Sequence, residues 1–196
     1  MRTIQKIYPF TVILALLSYI FCTLAAYLHF PTHFAPTTNW LSDLGNPDRN
    51  PQGAIFYNWG IILTGLLVLL FFLGVTRWKI RNLKIQNFMV TITQVFGILG
   101  SLALILSALF PINRPQHEFW SISLYMLLGT AFAFSVSALR YQPKCSQWVL
   151  LIGGTTAIVD ILSSILHEST TLEWITVLMF VIYLFTLSLK NRELQG

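Results

Sequence analysis

Charge is what this sequence has least of. Of its 196 residues only 10% are Asp, Glu, Lys or Arg, while 55% are hydrophobic, and the mean hydropathy is +0.68. A soluble domain carries about 25% charged residues, so the polar surface that a water-facing globule needs is missing and the apolar excess must face lipid. Acids are scarcer than bases, with seven Asp and Glu against twelve Lys and Arg, for a net charge of +5. The basic residues sit in short loops between apolar runs, which gives no basic face for a nucleic acid. Cysteine is nearly absent: Cys22 lies inside the first apolar run and Cys145 in a basic loop, so neither a disulfide nor metal-ligand spacing is expected. No Asn-x-Ser/Thr sequon occurs, so nothing marks a glycosylated loop.

What the chain does have is six apolar runs, each long enough to cross a hydrocarbon core, which takes about 20 helical residues. They cover residues 8–30, 54–75, 88–110, 118–139, 147–166 and 174–189, the second with a start as early as Pro51 and the third stopped by Pro111. Backbone groups find no partner in lipid, so the runs are expected to be helices. The first run is longer than a signal-peptide core and is read as a span. The expected architecture is an all-α integral membrane protein, one domain over residues 1–196, built as a bundle of six transmembrane helices.

Lys and Arg stay on the cytoplasmic side of short loops. Arg2, Lys6, Arg77, Lys79, Arg81, Lys84, Arg140, Lys144, Lys190 and Arg192 fall on one face, which leaves only Arg49 and Arg114 on the other. Both termini are therefore expected in the cytoplasm, in a multi-pass protein of the plasma membrane. Trp40, Trp59, Trp120 and Trp174 fall at outer span ends and Trp78 and Trp148 at inner ends, as interfacial belts require. Small residues four apart, Gly129, Ala133 and Ser137 in the fourth span, Gly97 and Ser101 in the third, and Gly153 and Ala157 in the fifth, predict close contact among these three helices.

The histidines and most acids gather on the outer side: His29, His33, His117 and His167, with Asp43, Asp48, Glu118, Glu168 and Glu173, which leaves only Glu193 on the cytoplasmic side. Asp160 stands apart, inside the fifth span about two turns from its outer end. An acid there costs several kcal/mol unless it is paired, protonated or facing a wet cavity. Ser164 and His167 share its helical face, with His167 roughly 10 Å along the axis. Two readings stay open: Asp160 lines a cavity, or it ties the bundle together through a group such as Asn58 or Thr64. The loop Asn39–Gly53 is rich in turn formers and is expected either to cap the bundle, bringing Ser42 and Asp43 to its mouth, or to serve as a turn system only. His117 stands at the start of the fourth helix, where it either points into the bundle or bonds at the interface. His and carboxylate suit zinc, but no HExxH-like signature is present.

Leu41-Ser42-Asp43-Leu44-Gly45, Asn46-Pro47, Phe56-Tyr57-Asn58 and Gly60, with Phe110-Pro111, His117 and Leu172-Glu173, resemble the DUF998 family of prokaryotic membrane proteins. The likeness covers nearly the whole chain in span number and loop order, and implies six spans without an assigned activity. Where that family often carries Glu-Arg, this chain has Glu173-Trp174. A fainter similarity, the Ser-Asp-x-Gly element after the first helix, runs to the Frag1/DRAM/Sfk1 group and implies lipid handling. The expected function is accordingly the binding of a lipid or amphiphile through Ser42, Asp43, Asn58, His117, Asp160 and His167, in a cavity open to the extracytoplasmic side. The expected partner is membrane lipid, not nucleic acid, with homo-oligomerisation, cofactor and catalytic residues left open and no metal assigned. The alternatives are a metal-dependent hydrolase resembling the ceramidase-like superfamily, a proton-coupled transporter and a structural role.

Overall fold

The structure, a computed structural model, describes residues 2–143, 145–166 and 169–193, with side chains over residues 10–189 of that set. The described residues form six α-helices: α1 (Arg2–Leu28), α2 (Ala54–Gly74), α3 (Lys84–Leu109), α4 (Gln116–Leu139), α5 (Gln147–Ile165) and α6 (Thr170–Glu193). Each contains an apolar stretch long enough to span a membrane. Two short 3₁₀ turns, Leu41–Gly45 and Val75–Trp78, complete the regular structure.

The second helix starts at Ala54, as its apolar run predicts, and not as early as Pro51, whereas α1, α3, α4 and α6 start ahead of their apolar runs. Residues 51–53 stay in a turn, because Asn50 caps from outside: its Oδ1 accepts from the Gly53 amide at 3.1 Å and its carbonyl from the Ala54 amide at 2.9 Å. At the other extreme α6 begins at Thr170, four residues before the apolar run. Ser169 Oγ accepts the Leu172 amide and its carbonyl the Glu173 amide, the pattern of a serine N-cap. This extra turn brings Glu173 into the helix.

The helices form a closed ring in chain order. Each packs on its chain neighbour, and α6 returns to pack on α1. With consecutive helices antiparallel, residues 41–53 and 110–115 share one end with Leu166 and Ser169, and residues 75–83, 140–143, 145 and 146 share the other, where Arg77, Lys79, Arg81 and Arg140 lie. Lipid is as apolar as Leu, so burial does not by itself drive this packing and close backbone approach must contribute. The predicted contacts of α4 with α3 and α5 are present. At Gly129 a Cβ would lie 3.0 Å from the Cβ of Asp160 and 3.2 Å from the Ala157 carbonyl on α5. Gly97 serves a different neighbour from the expected one. It lies against the ring of Phe72 on α2, while Gly100 takes the α4 contact through Leu128. One helix between two others needs two small faces, and a four-residue stripe supplies only one.

Outward faces are apolar and exposed, as at Phe21, Leu28, Trp59, Phe88, Leu151 and Ile158. Trp148 and Trp59 fit the expected interfacial belt, being 71% and 65% exposed, but Trp78 is only 3% exposed. Its ring lies 6.1 Å from that of Phe71, and its carbonyl accepts from Gln86 Nε2 and Gln142 Nε2, both at 2.8 Å. It closes the basic end of the ring instead of lying in the interface.

Candidate functional site

A ring of six helices must fill its axis. In the basic half it does so with large side chains: Phe71, Phe72, Phe132, Leu139, Tyr183, Leu187 and Trp78, all 3% exposed or less. In the other half the residues facing the axis include Ala15, Ser107, Ala108, Ser121 and Thr176, which are too short to reach across. A central cavity results, touched by all six helices and by the turn at Ser42. The space available to the centres of water-sized spheres is about 80 Å³. A single water needs roughly 10–15 Å³ on that measure, so the cavity has room for several waters or a slender ligand.

The cavity is polar at one end. Ser42, Asn58, Ser107, His117, Ser121 and Glu173 line its mouth, and Asp160 and Tyr125 stand below them. Its floor is apolar, formed by Leu16, Leu128, Phe180, Val181 and Leu184. From Glu173 to Leu184 it runs about 16 Å along α6, at 1.5 Å per residue. Ser42, His117, Ser121, Tyr125 and Glu173 also line a second, wider space of about 620 Å³ between the 41–45 turn, the 111–115 loop and the start of α6. The inner cavity therefore adjoins a vestibule.

The 41–45 turn covers the mouth and is fastened to three helices. Glu173 Oε2 accepts from the Leu41 amide at 2.6 Å, and the same carboxylate accepts from the backbone and hydroxyl of Ser42. Trp174 Nε1 donates to the Asn39 carbonyl at 3.1 Å. Asn58 Nδ2, on α2, donates to the Gly45 carbonyl at 2.9 Å. Asn50 is fully buried and its Nδ2 donates both to Ala26 O on α1 and to Leu44 O, each at 3.0 Å. The expected cap is thus a fixed one.

Of the six residues expected to bind ligand, Ser42, Asn58, His117 and Asp160 meet in the cavity. Asp43 does not line it. Its Oδ2 accepts from the Trp40 amide at 3.1 Å and from Arg49 Nη1 at 2.8 Å, so the carboxylate is committed to holding the turn. His167 lies outside the described residues, as does Glu168. His117 has a structural duty as well as a place in the cavity. Its Nδ1 faces two carbonyls at the end of α3, Ser107 O at 3.0 Å and Phe110 O at 2.8 Å, and so must carry a proton. Nε2 is left facing the Ser121 hydroxyl at 3.3 Å. His29 and His33 are exposed, and His29 lies against Phe56 and bonds Ala25 O.

Asp160 is 1% exposed, yet its Oδ1 has no hydrogen-bond partner in the protein. Neither expected tie reaches it. Asn58 bonds the Gly45 carbonyl, and Thr64 Oγ1 bonds the Gly60 carbonyl at 2.7 Å. Nearby hydroxyls are engaged too: Ser164 with Ile161 O, and Ser163 with Thr176. A buried carboxyl oxygen without a donor costs free energy, which a water or a ligand in the adjoining cavity can restore.

Glu173 and the tyrosines Tyr19, Tyr57 and Tyr125 line the cavity but were not among the expected ligand residues. For Glu173 the available signal was its Ser169 cap, which extends the helix by a turn. For Tyr125 it was position, since a tyrosine nine residues inside a span is out of place in an interfacial belt. Among the described residues no three His, Cys, Asp or Glu side chains converge as metal ligands, so the hydrolase expectation has no ligand set there.

Residues 13–190 match the model of a family described as a protein of unknown function, DUF998, and the chain belongs to that family. It matches no curated protein and no solved structure.

Proposed function

We propose that this protein binds an amphiphile, a lipid or lipid-like molecule, in its central cavity. The observation that carries the reading is the grading of one continuous space, polar at the mouth and apolar at the floor, inside a ring whose outer surface faces lipid. The polar group rests among Ser42, Asn58, His117, Glu173 and Asp160, and the chain extends towards Leu128 and Leu184. Ligand pockets commonly combine a mostly apolar lining with a few fixed polar groups. The basic loops at the opposite end support a mouth on the extracytoplasmic side, in a plasma membrane. Nothing in this reading requires a covalent step.

The test is native mass spectrometry of the protein released from a mild detergent. We expect an amphiphile adduct at one per chain. Ala108→Trp, which puts a large ring into the cavity wall, should remove the adduct while the protein stays folded by circular dichroism. An adduct unchanged in that variant would place the ligand elsewhere and defeat the proposal. A second reading, proton-coupled movement of the ligand, is favoured by the unpartnered Asp160 oxygen in the middle of a span. It predicts uptake of a bound ligand into proteoliposomes only under a proton gradient.

A further inference from the structure

Resting on the amphiphile reading, we infer that the head group held in the cavity is cationic, an amine or ammonium, with the Asp160 carboxylate as its counter-ion.

The argument begins with the charges that face the space. Two carboxyls line the inner cavity, Asp160 and Glu173, and no Lys or Arg does so among the described residues. Arg114 lines the vestibule and not the inner cavity, and is exposed there. Elsewhere in the protein a buried acid brings its own base: Asp43, 2% exposed, has Arg49 at 2.8 Å. Asp160 has no such partner, and its Oδ1 has no hydrogen bond at all. Glu173 is engaged by three donors of the 41–45 turn and so acts as a fixed part of the wall. Asp160 is the acid left over, and what it lacks is a donor with a positive charge.

The aromatic lining points the same way. Tyr19, Tyr57, Tyr125 and Phe180 contribute to the cavity from α1, α2, α4 and α6. Tyr125 is within electrostatic range of both Asp160 and Glu173, and Tyr57 of Glu173 and Tyr125. Faces of aromatic rings attract ammonium groups, most strongly where water is excluded, and recognition of quaternary ammonium ligands uses such cages. An anionic head would meet two carboxyls, while a neutral one would leave Asp160 without the charged donor. Asp160 lines the cavity beside the closest approach of α4 to α5, where a Cβ on Gly129 would stand 3.0 Å from its own.

The experiment offers the full-length protein, in a neutral maltoside micelle, three probes that share one chain: dodecylamine, dodecanol and dodecanoate. Adduct formation is followed by native mass spectrometry. A charge-assisted hydrogen bond is worth about 1.5–3 kcal/mol, so dodecylamine should bind roughly 10- to 100-fold more tightly than either competitor. In Asp160→Asn the preference for the amine over the alcohol should fall to within about threefold, chiefly through weaker dodecylamine binding. Equal binding of the three probes by the unaltered protein, or tightest binding of dodecanoate, overturns the inference while leaving the amphiphile reading intact. Failure of all three to bind overturns both. The ranking in the unaltered protein decides the matter even if the Asn variant does not fold. Adding phosphatidylethanolamine then separates the sources of the amine. Displacement of dodecylamine identifies a lipid head group as the natural ligand, and persistence identifies a soluble amphiphilic amine; either outcome supports a cation site.

Discussion

The two halves of this bundle use the same six helices to opposite ends. Around the basic end the axis is filled by rings: Phe71 and Phe72 meet edge to face at 5.2 Å, and Phe132 and Tyr183 do so at 5.0 Å. The few polar groups there are paired, as Ser135 is with the Tyr183 hydroxyl at 2.6 Å. Around the mouth the axis is open, short residues such as Ala15, Ser107, Ala108 and Ser121 stand between the tyrosines that line it, and a carboxyl oxygen goes without a partner. The difference lies in side-chain length, not in backbone arrangement. Where rings reach the axis the bundle is solid, and where Ala, Ser and Thr face it the same ring is hollow. Stability and ligand space are thereby separated along one axis.

Truncation should expose that division most strongly. Phe72→Ala, in the solid half against Gly97, removes a fully packed ring and should cost about 3–5 kcal/mol. Leu124→Ala on the cavity wall only widens an existing space, and about 2 kcal/mol is expected. Unfolding both variants with sodium dodecyl sulfate from mixed micelles compares them directly, and equal costs would break the contrast. Next in size is Asn50→Ala, which leaves the carbonyls of Ala26 and Leu44 and the amide of Gly53 without their shared partner. A loss of about 2–3 kcal/mol is expected, together with faster amide exchange over residues 41–46 as the cap loosens. Smallest of all is Asp160→Asn. Since the carboxyl oxygen makes no bond that folding relies on and an unpaired buried acid is itself costly, the protein without ligand should lose no stability against unfolding. A large loss would assign Asp160 to the scaffold instead of the cavity.

Much of the fold was legible in the residues. Six apolar runs and the intolerance of lipid for unpaired backbone groups leave helices as the one arrangement for such runs. The helix ends were less legible, because Ser169 and Asn50 act through caps that hydropathy does not weigh. Trp78 shows the limit of a belt argument: a tryptophan at a span end faces lipid or the axis according to its neighbours, and Gln86 and Gln142 hold this one inward. For the site, burial of an acid in a span singled out Asp160, and position in the loop singled out Ser42. The same reasoning chose Asp43, whose neighbour six residues on, Arg49, takes up its charge. His117 was legible as a residue near the mouth, but not as the group that closes the carbonyl end of α3.

By itself, then, the sequence determined a membrane-embedded bundle of six helices, with its acids and histidines crowded towards one end. Composition and apolar length act locally, so each span is recognisable from its own residues. Only the tertiary structure decided that the helices close into a ring, that the ring is hollow in one half, and that Asp160 rather than Asp43 is the acid left facing the hollow. Those outcomes depend on which side chains meet at the axis from all six helices at once. Contacts of that kind, across as many as 135 residues between Asn39 and Trp174, have no signature in any single stretch of chain.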